Sequence, residues 1–242
     1  MPRFFANQPP ADDILTLTGD DAYHIARALR MAVGDEITVC HAGVAYRCAL
    51  DRIRDEEVLC KVLSESPADT ESPVKITLYM AYPKGDKLET VTQKAVELGA
   101  SVIVPYESSR CIKRPKADRV DKSTERLSRI AAEAAKQSGR GILPSVLPPI
   151  SYRAMLGEAK TADLPIFCYE GDGCRSLKEI LNESRDVRTV SIVIGSEGGF
   201  SPEEAALAAE AGFKMANLGP RILRCETAPA FALAAVCYHF EL

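Results

Sequence analysis

A chain of 242 residues with 46% hydrophobic and 26% charged side chains can form one large domain or two small ones, and this composition excludes intrinsic disorder as the main state. The 15 glycines and 15 prolines exclude a collagen-like chain, and no apolar run approaches the roughly 18 residues that span a bilayer. The N-terminal residues lack an apolar segment with a cleavage site, so we expect a cytoplasmic protein without an export signal.

The formal net charge of −4 hides an uneven distribution along the chain. Residues 1–72 carry a net charge of −6, residues 73–150 carry +6, and residues 151–242 carry −4. The densest basic cluster consists of Arg110, Lys113, Arg114, Lys116, Arg119 and Lys122. Such a cluster indicates either a polyanion-binding surface or an ordinary solvated loop and helix, and charge alone does not separate the two.

The first 70 residues have the pattern of a small, mostly β domain. Strand-like runs cover residues 37–39, 44–50 and 58–63, a turn is expected at 41–43, and residues 20–31 have helical spacing. Residues 64–73 contain no large apolar side chain and are predicted to form a linker. We therefore place the first domain at residues 1–70.

From residue 74 onward, strands alternate with helices. Predicted strands cover residues 74–80, 102–104, 165–169, 190–194 and 213–218, and predicted helices cover residues 88–98, 124–140, 202–211 and 227–240. Ser201, Pro202 and Glu204 form a strong helix start, with an N-cap, a proline at the first position and a capping-box glutamate. The alternation predicts a second domain, residues 74–242, with a mostly parallel α/β sheet covered on both faces.

The eight cysteines form no recognisable ligand or disulfide pattern. No C-x-x-C motif occurs and no histidine is close enough to complete a zinc site, so we expect no metal. Most of the cysteines lie in apolar runs, such as those at Val39-Cys40 and Val236-Cys237. We therefore predict reduced, buried thiols, as in a cytoplasmic protein.

A glycine-rich loop, Gly195-Ser196-Glu197-Gly198-Gly199-Phe200, follows a buried strand and precedes the capped helix. It matches neither the dinucleotide fingerprint nor the P-loop, and its glutamate would repel a phosphate. Glycines let the backbone approach a ligand closely, which here suits a ligand with hydroxyl groups or positive charge. The alternative is a strained turn that only connects the strand to the helix.

A second unusual loop, residues 218–228, lies between the next strand and the last helix. It places Arg221, Arg224 and Glu226 around two apolar residues. Loops that follow the carboxyl ends of parallel strands converge on one crevice, so two such loops favour a ligand site over two unrelated turns. For Arg224 and Glu226 two interpretations stay open: a role in catalysis, or an ion pair that holds the loop.

Together the two loops closely resemble those of the SPOUT methyltransferases, and the chain resembles the RsmE family among them. Further matches lie at residues 2–5, 24–35, 84–99 and 129–140, so the resemblance covers nearly the whole chain. Ser196 stands where the family usually has proline, and Cys225 stands where threonine is more usual. Both residues are small, so we expect altered loop stiffness and not lost binding.

The resemblance implies an enzyme that methylates N3 of a uridine in 16S ribosomal RNA, with S-adenosylmethionine (SAM) as the cofactor. It also implies a PUA-like RNA-binding domain followed by a trefoil-knotted α/β domain that binds SAM in the knot. Dimerisation is expected to occur through the knotted domain. The implied partner is 16S rRNA within an assembled small ribosomal subunit, with no membrane and no metal.

The functional residues that the resemblance implies fall into three groups. The residues expected at the cofactor are Cys168, Tyr169, Glu170, Gly195, Glu197, Gly198, Leu218, Gly219, Ile222, Leu223, Glu226, Thr227 and Ala228. The residues expected to contact RNA are His24, Arg27, Arg30, Lys84, Lys87, Arg110, Arg114, Arg129, Gln137 and Arg140. Arg221 and Arg224 are expected to stabilise charge on the uracil, and Glu133 or water is expected to accept the proton.

Three other functions compete with this one. A related SPOUT enzyme could modify a ribose 2′-OH or another base, and only the full-length resemblance separates it from the RsmE family. A non-catalytic RNA-binding protein could retain the fold, but the intact glycine loop with Glu197 argues against lost catalysis. A dinucleotide-dependent oxidoreductase lacks its fingerprint in this sequence.

Overall fold

The computed structural model describes residues 1–112 and 117–242. The chain divides into two compact units. The first unit contains residues 1–71 and 135–143, and the second contains residues 72–134 and 144–242. Residues 135–143 therefore pack with the N-terminal unit, although the sequence places them inside the second predicted domain.

The first unit is built on a five-stranded sheet. Its strands are β1 (Arg3–Phe5), β2 (Ile14–Thr18), β3 (Glu36–His41), β4 (Val44–Ile53) and β5 (Glu57–Pro67), with a short helix α1 (Asp20–Tyr23) after β2. The order is β1-β3-β4-β5-β2, and only the β1–β3 pair is parallel among the described pairings. Alternate side chains such as Leu15, Leu17, Val58 and Cys60 form its core, as the period of a half-buried strand requires.

The three strands and the turn predicted in this unit are confirmed. Ala42 and Gly43 have φ of 48° and 84°, and His41 pairs with Val44 across the turn. Positive φ at both central residues defines the hairpin turn whose twist matches that of the flanking strands. The predicted helix over 20–31 is only partly correct, because α1 passes into a π-helix at His24–Ala28.

The predicted linker at 64–73 is wrong for its first part. Strand β5 runs to Pro67 and its last residues pair with the start of β4, from Val44↔Pro67 to Arg47↔Ser64. A β ladder is made by backbone groups, so a polar sequence can extend a strand when a long partner strand is present.

The second unit contains an eight-stranded sheet within the described residues. Its strands are β6 (Lys75–Ala81), β7 (Ala100–Glu107), β8 (Ser145–Val146), β9 (Ile150–Ser151), β10 (Leu164–Cys168), β11 (Arg175–Ser176), β12 (Thr189–Ile194) and β13 (Lys214–Asn217). Their order is β11-β13-β10-β12-β6-β7-β8, with β9 also paired to β7. All described pairings are parallel, which confirms the predicted α/β class.

Helices separate these strands as predicted. They are α2 (Lys87–Glu97), α3 (Val120–Ser138), α4 (Tyr152–Ala159), α5 (Leu177–Glu183), α6 (Pro202–Glu210) and α7 (Thr227–Glu241). The capping box of α6 is confirmed: the Ser201 side chain accepts from the Glu204 N–H, and the Glu204 carboxylate accepts from the Ser201 N–H. Helices α4 and α5 and the two-residue strands were not predicted, because they are too short to show a clear hydrophobic period.

All eight cysteines lie in the described residues and are free thiols, five of them buried. The predicted burial holds for these five, whereas Cys168, Cys174 and Cys237 are only partly buried. Over residues 1–112 and 117–242, no helix combines the length and apolarity that crossing a membrane requires.

Candidate functional site

The carboxyl ends of four adjacent strands meet at one edge of the second unit's sheet. These strands are β13, β10, β12 and β6, in that order. The loops that follow the first three surround a cavity of about 610 Å³, and Lys87 and Arg110 complete its lining. The structure thus brings together the two loops that the sequence singled out, at the crevice where open α/β sheets bind ligands.

The glycine loop is a tight turn held by a hydrogen bond of its own backbone and by Arg110. The Gly199 N–H donates to the Ser196 carbonyl (2.9 Å), and the Arg110 guanidinium donates to the Gly198 carbonyl (2.9 Å). A Cβ on Gly195 would lie 3.1 Å from the Phe200 ring, whereas a Cβ on Gly198 would lie 3.1 Å from the Arg110 side chain. Gly195 therefore permits the turn itself, and Gly198 permits its contact with the segment around Arg110.

The second loop ends in a turn that starts α7. The backbone N–H groups of Thr227 and Ala228 both donate to the Arg224 carbonyl, at 2.8 and 2.9 Å. At its start, the Asn217 side chain accepts from the Gly219 N–H (3.2 Å). Between these two anchors Ile222 is 84% exposed, so an apolar side chain is presented to the cavity opening and not to the core.

The third wall follows strand β10. The Tyr169 N–H continues the sheet by donating to the Ala216 carbonyl (2.9 Å). A Cβ on Gly171 would lie 2.3 Å from the Tyr169 ring, so only glycine allows the ring to fold back over this segment. Phe200 packs on Phe167 with ring centroids 4.1 Å apart, which ties the glycine loop to β10.

Charged groups connect the glycine loop to the second loop. The Lys87 ammonium lies 3.0 Å from Glu197 Oε1 and 3.2 Å from Glu226 Oε2. The Lys84 backbone N–H donates to the same Glu197 oxygen at 3.0 Å, and the Cys225 thiol contacts Glu226 Oε2 at 3.2 Å. One cation thus balances two carboxylates from two different loops.

These contacts determine how the groups titrate. Burial acts to raise the pKa of Glu197 and of Glu226, but their own backbone N–H groups and Lys87 outweigh it and lower both pKa values. Burial, with the hydrogen bond to Glu226, raises the pKa of Cys225 to about 12. The carboxylates therefore stay ionised and Cys225 stays a neutral thiol near pH 7.

Most residues expected at the cofactor line the cavity. They are Cys168, Tyr169, Glu170, Gly195, Glu197, Leu218, Gly219, Ile222, Leu223 and Ala228. Gly198, Glu226 and Thr227 are absent from the described lining: Gly198 faces Arg110, Glu226 faces Lys87, and Thr227 begins α7. Asn217, which ends β13, and Phe200 also line the cavity but were not predicted as cofactor residues. The packing of the Phe200 ring depends on contacts in space that no sequence pattern reveals.

The candidate catalytic arginines are on the cavity, but the proposed base is not. Arg221 and Arg224 are exposed and line the opening. Within the described part of the chain, Glu226 pairs with Lys87 and not with Arg224, so the alternative of an Arg224–Glu226 ion pair is wrong. Glu133 is exposed on α3 and lies outside the described lining.

The residues expected to contact RNA have different environments. In the first unit His24, Arg27 and Arg30 are exposed, and Arg27 donates to both carboxylate oxygens of Asp55, at 2.9 and 2.5 Å. The side chains of Lys84, Arg110, Arg129 and Gln137 are exposed in their own units. Arg114 lies outside the described residues, as do Lys113 and Lys116 of the basic cluster.

Two of these predictions need correction. Arg140 is only 4% exposed and forms a bidentate pair with Glu71, so its guanidinium is not presented to a ligand. Lys87 is partly buried and bound by two carboxylates, which differs from the predicted RNA contact. Among the described residues no cluster of His, Cys, Asp or Glu could hold a metal ion.

Comparisons with known proteins agree with this geometry. Residues 70–237 match the model of an RNA methyltransferase domain, and residues 17–63 match that of an RNA methyltransferase PUA domain. The Ribosomal RNA small subunit methyltransferase E of Bacillus subtilis is 34% identical over 232 residues, which cover 94% of this chain and 91% of that protein. The Aquifex aeolicus protein of the same name is 32% identical, covering 93% and 94%.

A solved structure extends the likeness to the fold. The crystal structure of a Ribosomal RNA small subunit methyltransferase E from Neisseria gonorrhoeae, bound to S-adenosyl methionine, has a TM-score of 0.87 and 33% identity, with 98% of this chain and 97% of that chain covered. The fold and the cavity are those of an RNA methyltransferase with an N-terminal PUA-like domain. Within that class, the chain belongs to the ribosomal RNA small subunit methyltransferase E family, the RsmE family expected from its two loops.

Proposed function

We propose that this protein is a SAM-dependent enzyme that methylates N3 of a uridine in 16S rRNA. The observation that carries the proposal is a cavity of about 610 Å³ that is lined by the glycine loop and the second loop, residues 218–228, and that includes two exposed arginines. The family relation supports the cofactor, since the matched Neisseria gonorrhoeae structure is described as bound to S-adenosyl methionine.

The lining of the cavity suits SAM. Ile222, Leu223 and Leu218 provide apolar surface for the adenine, and the glycine loop exposes backbone amide and carbonyl groups. SAM carries a positive sulfonium group and no phosphate, and the lining contains the carboxylates of Glu170 and Glu197. A phosphate-bearing dinucleotide would be repelled by these carboxylates, so they favour SAM over it.

The chemistry assigns distinct tasks to the chain and the cofactor. When bound, SAM would supply a methyl group on a positively charged sulfur, and attack of a nucleophilic nitrogen on the methyl carbon would release the sulfur as a neutral thioether. The N3–H of uridine is weakly acidic, so the protein must favour its loss. The guanidinium groups of Arg224 and Arg221 would stabilise negative charge on O2 and O4, and this is the work of an oxyanion-type site. The proton acceptor is Glu133 or water, as the resemblance implies.

Nucleoside analysis tests the reaction. A strain lacking the gene should lose 3-methyluridine from its 16S rRNA, and the wild-type gene should restore it while an Arg224→Ala gene should not. Loss of a 2′-O-methyl nucleoside instead would favour the related SPOUT enzyme. If the nucleosides are unchanged and calorimetry detects no binding of SAM, the result would favour a non-catalytic RNA-binding protein. Purified free 16S rRNA and assembled subunits, offered separately, would identify which form is the substrate.

The cofactor site predicts a glycine-specific effect on SAM affinity. Gly195→Val should weaken SAM binding by about tenfold or more in calorimetry, because the new side chain meets Phe200 and the Gly199 backbone and displaces the loop. Gly157→Val is a matched control, since a Cβ on Gly157 has nothing within 4 Å. Equal affinity in the Gly195 variant would mean that SAM binds elsewhere. Gly198→Val should act through displacement of Arg110, since Gly198 faces that side chain.

The exposed side of the last helix supports a homodimer. Leu233 of α7 is fully buried, but Phe231 and Tyr238 are 44% and 74% exposed, and Ala234 between them is exposed as well. Light scattering should give twice the chain mass of 26.3 kDa, and Tyr238→Glu should shift the protein toward the monomer. A stable monomer of the wild-type protein at micromolar concentration would contradict this prediction.

We further propose separate tasks for the predicted domains, 1–70 and 74–242. The first would contact rRNA through His24, Arg27 and Arg30, and the second would perform methyl transfer, with Arg110, Lys84 and Arg129 as RNA contacts. Gln137, also expected to contact RNA, packs with the first compact unit. The matches to PUA and RNA methyltransferase domains support this division. An assembled small subunit as substrate and a cytoplasmic location fit a modification of ribosomal RNA.

A further inference from the structure

Lys87 occupies a position where a lysine is unfavourable on local grounds. It is the first residue of α2, and a positive charge near the N-terminus of a helix opposes the helix dipole. Its side chain is 32% exposed, so solvent compensates for this placement only in part. The compensation comes from the two carboxylates of Glu197 and Glu226, at 3.0 and 3.2 Å.

The two carboxylates belong to different parts of the cavity. Glu197 lies in the glycine loop after β12, and Glu226 directly precedes α7 at the end of the second loop. Their side chains are 27% and 25% exposed, so both are partly shielded from water. Without Lys87 these two negative charges would repel each other across the cavity wall, at a lower effective dielectric than water provides.

Other contacts converge on the same cluster. The Lys84 backbone N–H donates to Glu197, and the Cys225 Sγ lies 3.8 Å from the Lys87 ammonium and 3.2 Å from Glu226. The Lys84 N–H thus joins the loop before α2 to the glycine loop, and the Lys87 ammonium joins the glycine loop to the second loop. Lys87 also lines the cavity itself, so the cluster forms part of the wall that faces the ligand.

We propose that Lys87 is a positioning residue that holds the glycine loop and the second loop together. It thereby gives the cavity the shape that the cofactor requires. The identity of that cofactor rests on the proposed function, whereas the joining of the loops does not. This role replaces the RNA contact that the resemblance implied for Lys87. It predicts that the loops loosen when the charge of Lys87 is removed, whether or not a ligand is present.

Amide hydrogen exchange of the full-length, ligand-free protein tests the joining of the loops. In Lys87→Met, exchange in residues 195–200 and 217–226 should become about tenfold faster or more, because local opening is no longer opposed by the ion pairs. Lys94→Met is the matched control: Lys94 lies on the same helix and pairs with Glu97 at 2.8 Å, away from the cavity. It should leave exchange in both loops unchanged.

Calorimetry with SAM tests the consequence for binding. Lys87→Met should weaken SAM binding about tenfold, and Lys87→Arg should restore most of it because the charge returns. Adding Glu226→Gln to Lys87→Met should recover part of the affinity, since one of the two uncompensated carboxylates is removed. A role in packing alone would not give this rescue by a charge-neutralising change.

The outcomes separate the inference from the proposed function. Unchanged exchange of both loops in Lys87→Met, or no rescue by Glu226→Gln, would overturn the role of Lys87. If Lys87→Met exchanges faster in both loops but the wild-type protein binds no SAM, the role of Lys87 is retained and the proposed cofactor is rejected. If Lys87→Met does not fold, Glu226→Gln alone provides the test: it should speed exchange of residues 217–226, and no change there would overturn the inference.

Discussion

Replacing Arg224 with alanine should slow methyl transfer by about 10²–10³-fold while SAM affinity stays near wild type, since the loss of one donor to a developing negative charge typically has this effect. Arg224 is exposed at the cavity opening, and in the described residues Glu226 pairs with Lys87 instead. The substitution therefore removes a guanidinium without breaking the contacts that hold the loop. Single-turnover kinetics at saturating SAM and RNA measure the effect.

The controls distinguish catalysis from binding. Arg153→Ala removes an exposed arginine from α4, outside the cavity lining, and should leave the rate unchanged. Arg221→Ala shows whether the second guanidinium contributes at the same step. A near wild-type rate for Arg224→Ala at saturation would exclude the catalytic role, and a parallel loss of SAM affinity and rate would indicate a role in forming the site.

The second large effect concerns stability and not catalysis. Glu71→Ala should lower the free energy of unfolding of the first unit by about 3 kcal/mol, because it removes a carboxylate that accepts from the buried Arg140 guanidinium and from two backbone N–H groups. Arg140 is 4% exposed and donates to both Glu71 oxygens, at 3.0 and 2.6 Å. The Gly141 and Ile142 N–H groups also donate to Glu71, at 2.8 and 3.1 Å.

Denaturant unfolding of the variant, followed by a probe of the first unit, measures this loss. Asp55→Ala is the control: it breaks the Arg27–Asp55 pair, whose side chains are 61% and 52% exposed, and should change stability little. A comparable loss in both variants would contradict the prediction. It would mean that the buried ion pair contributes no more to the free energy of unfolding than the exposed one.

The pH dependence of stability should follow from the same pair. Burial acts to raise the pKa of Glu71, but Arg140 and the two backbone N–H groups outweigh it and lower this pKa below the ordinary glutamate value. A carboxyl group with a lowered folded-state pKa stabilises the protein above its unfolded-state pKa. This stability is lost as the pH falls through the folded-state value, so the wild-type advantage over Glu71→Ala should shrink in acid.

Local patterns along the chain predicted most of the second unit. The alternation of strands and helices, the capping box at Ser201 and Glu204, and the glycine loop all depend on residues a few positions apart. The first unit was predicted less completely. Its strand β5 continues through a polar segment because the backbone of β4 is available to pair with it, and no side-chain pattern reveals that partner.

By itself, the sequence determined the class of fold and the two loops of the candidate site, because both follow from hydrophobic period, glycine placement and the order of strands. Only the tertiary structure decided which charged residues are available to a ligand. Arg140 and Glu71 are 69 positions apart yet form a buried pair, and Lys87 meets carboxylates from two distant loops. The energy of such pairs depends on distance and burial in space, and neither quantity can be read from spacing along the chain.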